Sequence, residues 1–209
     1  MSKSTNDFRR KPPKYKPQPR ILVICEDSKS SRIYLEEAAM HFKAYADIKF
    51  HHCGCTDPLN IVKHAASQVK KYDKVMCVID RDTHDEGNLT SALSLAQQYS
   101  IDVQISYPCF EYWYLLHYSY TRKPYISNGK NSAADNLVFD LIKLPIFKSY
   151  NKGDTKGLFK LLGHESRILA MENGKKSLED AAQDSECNPS TPTHKLMELL
   201  EALGFPQPV

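Results

Sequence analysis

The sequence predicts an α/β protein built on a parallel sheet flanked by helices, with a helical C-terminal region. Two short apolar runs, residues 21–25 and 75–79, contain no alternating polar residues. Such runs are typical of strands that are buried on both faces of a parallel sheet. Segments with helical spacing separate these runs from two further strands. The resulting order, β-α-β-α-β-α-β, favours right-handed crossovers with helices on both faces of the sheet.

The predicted elements follow one another regularly through the first half of the chain. Apolar residues between 35 and 42 recur at the spacing of an amphipathic helix, and residues 46–50 form the second strand. The pair Asp57-Pro58 indicates a helix start, because aspartate caps helices and proline is favoured at the first helical position. A third helix covers residues 89–96, and alternating apolar residues from 101 to 105 predict a strand near the edge of the sheet.

Beyond Pro108 the pattern becomes helical and rich in aromatic residues. The predicted helices cover residues 110–118, 133–143, 158–171 and a closing segment with leucines from 196 to 203. Loops are expected at residues 119–132 and 184–192. We therefore divide the chain into a disordered basic arm (1–20), an α/β core (21–118) and a helical region packed on that core (119–209).

The charge of the chain is concentrated at its N-terminus. Lys and Arg total 28 against 25 Asp and Glu, and residues 1–20 hold seven basic residues, four prolines and a single acidic residue. This composition predicts a mobile arm that serves solubility or contacts phosphates or a partner. Its candidate nucleic-acid contacts are Arg9, Arg10, Lys11, Lys14 and Lys16. The rest of the chain has a net charge of −3, which excludes a polycationic protein and makes any contact with nucleic acid local.

Neither a membrane nor an export pathway is indicated. No apolar run approaches the ~18 residues that a membrane-spanning helix needs, and the N-terminus lacks the apolar stretch of a signal peptide. The six cysteines do not form the pattern of a disulfide scaffold. We therefore expect a cytoplasmic protein.

Carboxylates follow the two most buried predicted strands. Glu26 and Asp27 come directly after the first strand, and Asp80 and Asp82 close the third. Because parallel strands end at the same edge of the sheet, these side chains are expected to converge there. Carboxylates that meet in this way repel one another unless a cation neutralises them, and hard oxygen ligands suit Mg²⁺ or Mn²⁺. The alternative is that Glu26 and Asp80 are ordinary caps at strand-to-helix turns.

Two classes of protein use such carboxylates. A phospho-receiver domain has an acidic pair, an acceptor aspartate, a Ser or Thr, and a lysine at the end of a fifth strand. Ser106 follows the fourth strand here, but no fifth apolar strand ending in lysine is apparent. The Toprim fold has one Glu after its first strand and an Asp-x-Asp after its third, which Glu26, Asp80 and Asp82 match better.

The sequence resembles the RloB-like family, whose core is similar to Toprim. The matching pieces, in order along the chain, are residues 23–26, 78–84, 106–117 and 188–196. The resemblance implies a suspected nuclease that acts in prokaryotic antiviral defence, by abortive infection, alongside a partner ATPase. One departure concerns Asp27, since Toprim proteins usually have glycine there. Asp tolerates left-handed dihedral angles better than most residues, and its carboxylate is one more candidate for the metal site.

Several other residues have both a functional and an ordinary interpretation. His84 is a candidate proton donor or phosphate contact, or an exposed loop histidine. Glu111 is a candidate metal ligand or base, or a favourable first residue of a helix. The aromatic residues from 110 to 120 suit base stacking but more often form a core. Lysines 148, 152, 156 and 160 suit phosphate contacts, but a solvated face is their default interpretation. The cluster 51–55 is more typical of a strand end than of a zinc site.

These observations lead to one functional hypothesis. Asp80 and Asp82 would hold Mg²⁺ (or Mn²⁺), and Glu26 would share the ion or act as general base in hydrolysis of a nucleic-acid phosphodiester. RNA, transfer RNA in particular, is the favoured substrate. The competing hypothesis is a non-catalytic module that senses or scaffolds the partner ATPase.

Overall fold

The computed structural model describes residues 15, 17–44, 47–82 and 84–205. Four parallel strands form one sheet in the order β2-β1-β3-β4. The strands are β1 (Arg20–Cys25), β2 (Asp47–His51), β3 (Lys74–Asp80) and β4 (Asp102–Ser106). The helices between them are α1 (Ser30–His41), α2 (Pro58–Gln68) and α3 (Glu86–Gln98). The structure thus confirms the α/β class and the parallel sheet.

The rest of the chain is helical, as the sequence predicts. It contains α4 (Glu111–Leu115), α5 (Ala133–Leu141), a 3₁₀ turn (Pro145–Phe147), α6 (Leu158–Asp184) and α7 (Thr193–Leu203). No helix in the described part of the chain is both long and apolar enough to cross a membrane.

Alternate residues of β1 and β3 point to opposite faces of the sheet, and both faces are covered. Leu22 and Ile24 pack with α2 and α3, whereas Val23 and Cys25 pack with α1 and the C-terminal helices. This explains why the two strands contain continuous apolar residues. One hydrophobic cluster on the α1 side extends from the sheet to α7. It contains residues from both sides of residue 118, the predicted boundary between the core and the helical region.

Local chemistry sets the helix starts. The Asp57 carboxylate accepts a hydrogen bond from the Asn60 amide at 3.0 Å, and Pro58 occupies the first position of α2, as predicted. Ser132 and Asp135 form a reciprocal capping box that begins α5.

Two helices differ most from their predicted lengths. The predicted helix 110–118 contains only the five residues of α4. The predicted helix 158–171 extends to Asp184 as α6, with non-helical dihedral angles at Gly163 (φ 76°, ψ 173°). The helix includes Gly174, which faces the Trp113 ring, and an added Cβ there would lie 3.0 Å from the ring. This glycine therefore serves packing and does not end the helix.

Candidate active site at the carboxyl edge of the sheet

Glu26 and Asp80, 54 residues apart in sequence, meet at the carboxyl edge of the sheet. The Glu26 amide donates to the Val78 carbonyl at 2.9 Å, which continues the pairing of β1 with β3. Glu26 Oε2 then accepts a hydrogen bond from the Asp80 amide at 2.9 Å. On the other side, Glu26 Oε1 lies 3.0 Å from His84 Nε2. Glu26 and His84 are therefore a hydrogen-bonded pair, and both side chains are largely buried.

The Asp80 carboxylate is held at one oxygen and faces a cation at the other. Asp80 Oδ1 accepts a hydrogen bond from the Phe110 amide at 2.9 Å. Asp80 Oδ2 lies 3.8 Å from Lys152 Nζ, and the aspartate side chain is only 13% exposed.

Glu111 is fully buried beside Asp80, although it stands at the start of a short helix. Its Oε1 accepts a hydrogen bond from the Tyr150 hydroxyl at 2.8 Å and lies 3.5 Å from Lys152 Nζ. Its Oε2 is buried, and among the described residues no hydrogen-bond partner is found for it. An unpartnered buried carboxylate oxygen is costly, so this atom indicates a position where a bound group would be stabilising.

Lys152 is the site residue that sequence reasoning missed. The lysine repeat from 148 to 160 drew attention to it, but a solvated face was the default interpretation. In the structure, Thr155 Oγ1 donates to the Lys29 carbonyl at 3.0 Å, which ties this loop to the start of α1. The loop thereby carries the Lys152 ammonium to Asp80 and Glu111.

Burial and like charge together perturb the acids of this site. Desolvation raises the pKa of Asp80 well above its ordinary value, and the neighbouring Glu111 and Glu26 carboxylates raise it further while Lys152 opposes them. Desolvation also raises the pKa of Glu26, although the Asp80 amide and His84 favour its ionised form. For Lys152, desolvation is outweighed by Glu111 and Asp80, which raise its pKa above the ordinary range. The site therefore holds more buried negative charge than its own cation relieves.

The other two predicted carboxylates are engaged elsewhere. Asp82 Oδ1 accepts a hydrogen bond from the Ala134 amide at 3.1 Å, in the first turn of α5. Asp27 accepts from the Lys29 amide at 2.7 Å and from the Ser31 amide at 3.0 Å, so it caps the start of α1. Neither contact joins these side chains to Glu26, Asp80 and Glu111.

A comparison with models of protein families identifies the family of this chain. The model of the RloB-like protein family matches residues 21–200, which cover the sheet and all of the helices up to the last turn of α7. The chain belongs to the RloB-like protein family. Neither the curated proteins nor the solved structures contain a match.

The donor set of this RloB-like chain suits a hard divalent ion through two carboxylates. Within the described residues, no three His, Cys, Asp or Glu side chains are grouped so that they could hold a metal ion. Mg²⁺, however, commonly uses one or two carboxylates and completes its shell with waters and substrate phosphate. Asp80 Oδ2 and Glu111 Oε2 are the oxygens that no hydrogen bond occupies among those described. These two oxygens are therefore the candidate ligands for such an ion.

Two other sets of predicted residues have different outcomes. The nucleic-acid candidates Arg9, Arg10, Lys11, Lys14 and Lys16 lie outside the described residues. The aromatic residues at 110, 112, 113 and 114 are fully buried in the hydrophobic cluster on the α1 side. These four rings therefore form core in the RloB-like chain, and they present no face for base stacking.

Proposed function

We propose that this RloB-like protein is a metal-dependent nuclease that hydrolyses phosphodiester bonds in nucleic acid, RNA in particular. The observation that carries the proposal is the group of buried carboxylates, Glu26, Asp80 and Glu111, at the carboxyl edge of a parallel sheet. Ligands of open α/β sheets bind at this edge. The unpartnered Glu111 Oε2 supports it independently, because a protein retains such an atom at a cost in stability.

Each residue has a role that follows from its contacts. Asp80 and Glu111 would hold Mg²⁺ or Mn²⁺, which neutralises charge on the phosphoryl oxygens and activates water when bound. Glu26 is the candidate general base: its raised pKa suits proton acceptance, and His84, hydrogen-bonded to it, can pass on the proton. Lys152, whose side chain is 49% exposed, can contact a phosphoryl oxygen while it faces Asp80.

The biological setting of the proposal comes from the resemblance to the RloB-like family. It implies an effector of prokaryotic antiviral defence whose activity depends on a partner ATPase. The charge distribution agrees with this dependence. Residues 21–209 have a net charge of −3, so outside the arm the protein attracts a polyanion weakly on its own. We expect the isolated chain to be a poor nuclease.

A phospho-receiver role is the second candidate because the structure supplies a lysine beside the candidate acceptor. Lys152 Nζ lies 3.8 Å from Asp80 Oδ2, although a loop and not a fifth strand carries it. Two other contacts oppose this role. The Ser106 hydroxyl is buried against Thr191 at 2.8 Å, and Asp27 caps α1. Labelling with acetyl phosphate decides the matter, since a receiver would form an acyl phosphate that hydroxylamine cleaves and that Asp80→Asn abolishes.

The metal site is tested first on the purified protein by titrating Mg²⁺ and Mn²⁺ and following thermal unfolding. An ion that binds the native state raises the melting temperature by mass action. Wild type and the control Glu172→Gln, an exposed site on α6, are expected to gain equally, and Asp80→Asn and Glu111→Gln to gain little. Asp82→Asn separates the predicted Asp80/Asp82 site from the Asp80/Glu111 pair, because it should reduce the gain only if Asp82 holds the ion. Equal gains in all variants would remove the proposed site.

Activity is tested by co-expressing the chain with the proposed partner ATPase under phage challenge, followed by sequencing of cellular RNA and inspection of the chromosome. We expect RNA fragments, from transfer RNA in particular, that disappear with Asp80→Asn and persist with Glu172→Gln. A fragmented chromosome with intact RNA would indicate that the substrate is DNA and not RNA. Protection that survives the combined loss of Glu26, Asp80 and Glu111 would leave only a sensor or scaffold module.

A further inference from the structure

A second, basic cavity lies away from the candidate active site, between the end of α1 and the first turns of α6. Its volume is about 590 Å³, and His41, Lys160, His164 and Arg167 line it. Small-molecule sites have volumes of roughly 300–1,000 Å³. Glu26 lies next to Asp27, which accepts hydrogen bonds at the opposite end of α1, and a helix of 12 residues is about 18 Å long. The two sites are therefore distinct.

Arg167 is the unusual residue of this cavity. It is only 9% exposed, and among the described arginines it alone has no carboxylate within 4.0 Å. Its guanidinium lies over the Phe159 ring, 4.5 Å from the centroid, and donates to the Phe159 carbonyl at 3.2 Å and to His41 Nε2 at 3.4 Å. None of these contacts supplies a negative charge. A buried guanidinium without a counter-ion is costly, and a bound anion would supply the missing charge.

Glu37 is the one carboxylate that lines the cavity within the described part of the chain, and it does not compensate Arg167. Glu37 accepts hydrogen bonds from the Gly157 amide at 2.5 Å and from the Phe159 amide at 3.2 Å, so it caps the start of α6. Both of its oxygens are therefore engaged by backbone amides. Lys160 and His164 add exposed donors at the mouth of the cavity.

The break in α6 adds a backbone contribution. Gly163 lines the cavity with non-helical dihedral angles (φ 76°, ψ 173°), so a second helical segment begins at His164 and runs to Asp184. The positive end of that segment's dipole is thus at the cavity. Together with Arg167 it gives the cavity two sources of positive potential, one fixed in the backbone and one buried.

We propose that this cavity is an anion-binding site for the phosphoryl group of a nucleotide, either free or at the end of a nucleic-acid strand. The planar guanidinium of Arg167 can bind two phosphoryl oxygens, and Lys160 and His164 can close over the group from the solvent side. The site does not depend on the nuclease proposal, since it shares none of the carboxylates at the sheet edge.

The test measures binding to the purified full chain by calorimetry, with inorganic phosphate, AMP and a 5′-phosphorylated RNA tetranucleotide as separate probes. Wild type is expected to bind at least one probe, and Arg167→Gln and Lys160→Ala each to weaken binding at least tenfold. Lys175→Ala removes an exposed α6 lysine that does not line the cavity, and it should bind like wild type. Binding that is lost with Arg167→Gln and Lys160→Ala is thereby assigned to this cavity, since neither residue lies at the sheet edge.

The probes distinguish the two sources of the phosphoryl group. Tighter binding of AMP than of the tetranucleotide assigns the site to a free nucleotide, and the reverse order assigns it to a strand end. Lys160 is exposed, so its variant remains informative if Arg167→Gln unfolds. The proposal is overturned if wild type binds none of the three probes at 10 mM, or if Lys160→Ala binds them as tightly as wild type does.

Discussion

Replacing Asp80 with asparagine is expected to stabilise the protein when no divalent ion is present. The aspartate is 13% exposed, and it shares its surroundings with Glu26 and the fully buried Glu111. Asparagine keeps the Oδ1 that accepts from the Phe110 amide at 2.9 Å, so the main contact survives the change. What the change removes is one buried negative charge. Sites that concentrate like charge for function commonly reduce stability in this way.

The size of the effect is a balance of two terms. The attraction between Lys152 Nζ and Asp80 Oδ2, 3.8 Å apart, is about 4 kcal/mol at an effective dielectric constant of 20. Because the lysine is 49% exposed, screening reduces that value to roughly 1 kcal/mol. Desolvation of a carboxylate costs several kcal/mol. The net gain in unfolding free energy is about 2 kcal/mol, which raises the melting temperature of a chain of this size by about 4–8 °C.

The assay is thermal unfolding in a chelator at several pH values. Folding raises the pKa of Asp80, so its contribution to stability is fully present below the ordinary value of 3.8 and is lost as pH rises through the higher folded value. The advantage of Asp80→Asn should therefore be greatest at pH 7–8 and should shrink towards pH 4. A variant that is less stable than wild type at pH 8 would refute the reasoning.

Asp140 provides a control of opposite sign. Lys123 and Lys143 outweigh its partial burial and lower its pKa to about 2. A group whose pKa is lowered by folding stabilises the folded state at pH values above its unfolded-state pKa. That contribution is lost as the pH falls through its folded-state pKa. Asp140→Asn should therefore lower the melting temperature at pH 7–8, and its difference from wild type should also shrink in acid.

Three further predictions concern other parts of the molecule. Gly174→Ala should destabilise the protein by about 1–3 kcal/mol in denaturant titrations, because its Cβ would lie 3.0 Å from Trp113; unchanged stability would mean that α6 shifts without cost. Ser132→Ala should cost about 1 kcal/mol by the same measurement, since it breaks the capping box with Asp135. Deletion of residues 1–14 should weaken RNA binding and flatten its salt dependence; an unchanged slope would leave the arm a role in solubility.

Much of the fold could be predicted because the buried strands and the helix starts have simple sequence patterns. The continuous apolar residues of β1 and β3 follow from burial on both faces, and Asp57 and Pro58 begin α2 by local chemistry alone. The length of α6 could not be read in the same way. Gly174 lies within that helix, and its contact with the Trp113 ring is a tertiary contact that local sequence does not record.

Part of the candidate site could likewise be predicted from the sequence, and part could not. Glu26 and Asp80 could be brought together from sequence because parallel strands end at a common edge, which β1 and β3 fix through their pairing. The depth of Glu111 and the approach of Lys152 depend on how a helical region and a loop fold back over that edge. No periodicity in the sequence records that arrangement.

The position of the Asp82 side chain depends on where β3 ends, which the Asp-x-Asp spacing does not record. Residues two apart share a face only while the strand continues, and β3 ends at Asp80. The next two amides, of Arg81 and Asp82, both donate to the Pro108 carbonyl at 2.9 Å, so the chain turns away from the strand direction. Asp82 consequently meets the amide of Ala134 at the start of α5. The carboxylate beside Asp80 is instead Glu111, which the segment after β4 delivers. A substrate that withdrew Asp82 from α5 would therefore loosen the start of that helix, so the Asp82 contact links the sheet edge to the C-terminal region.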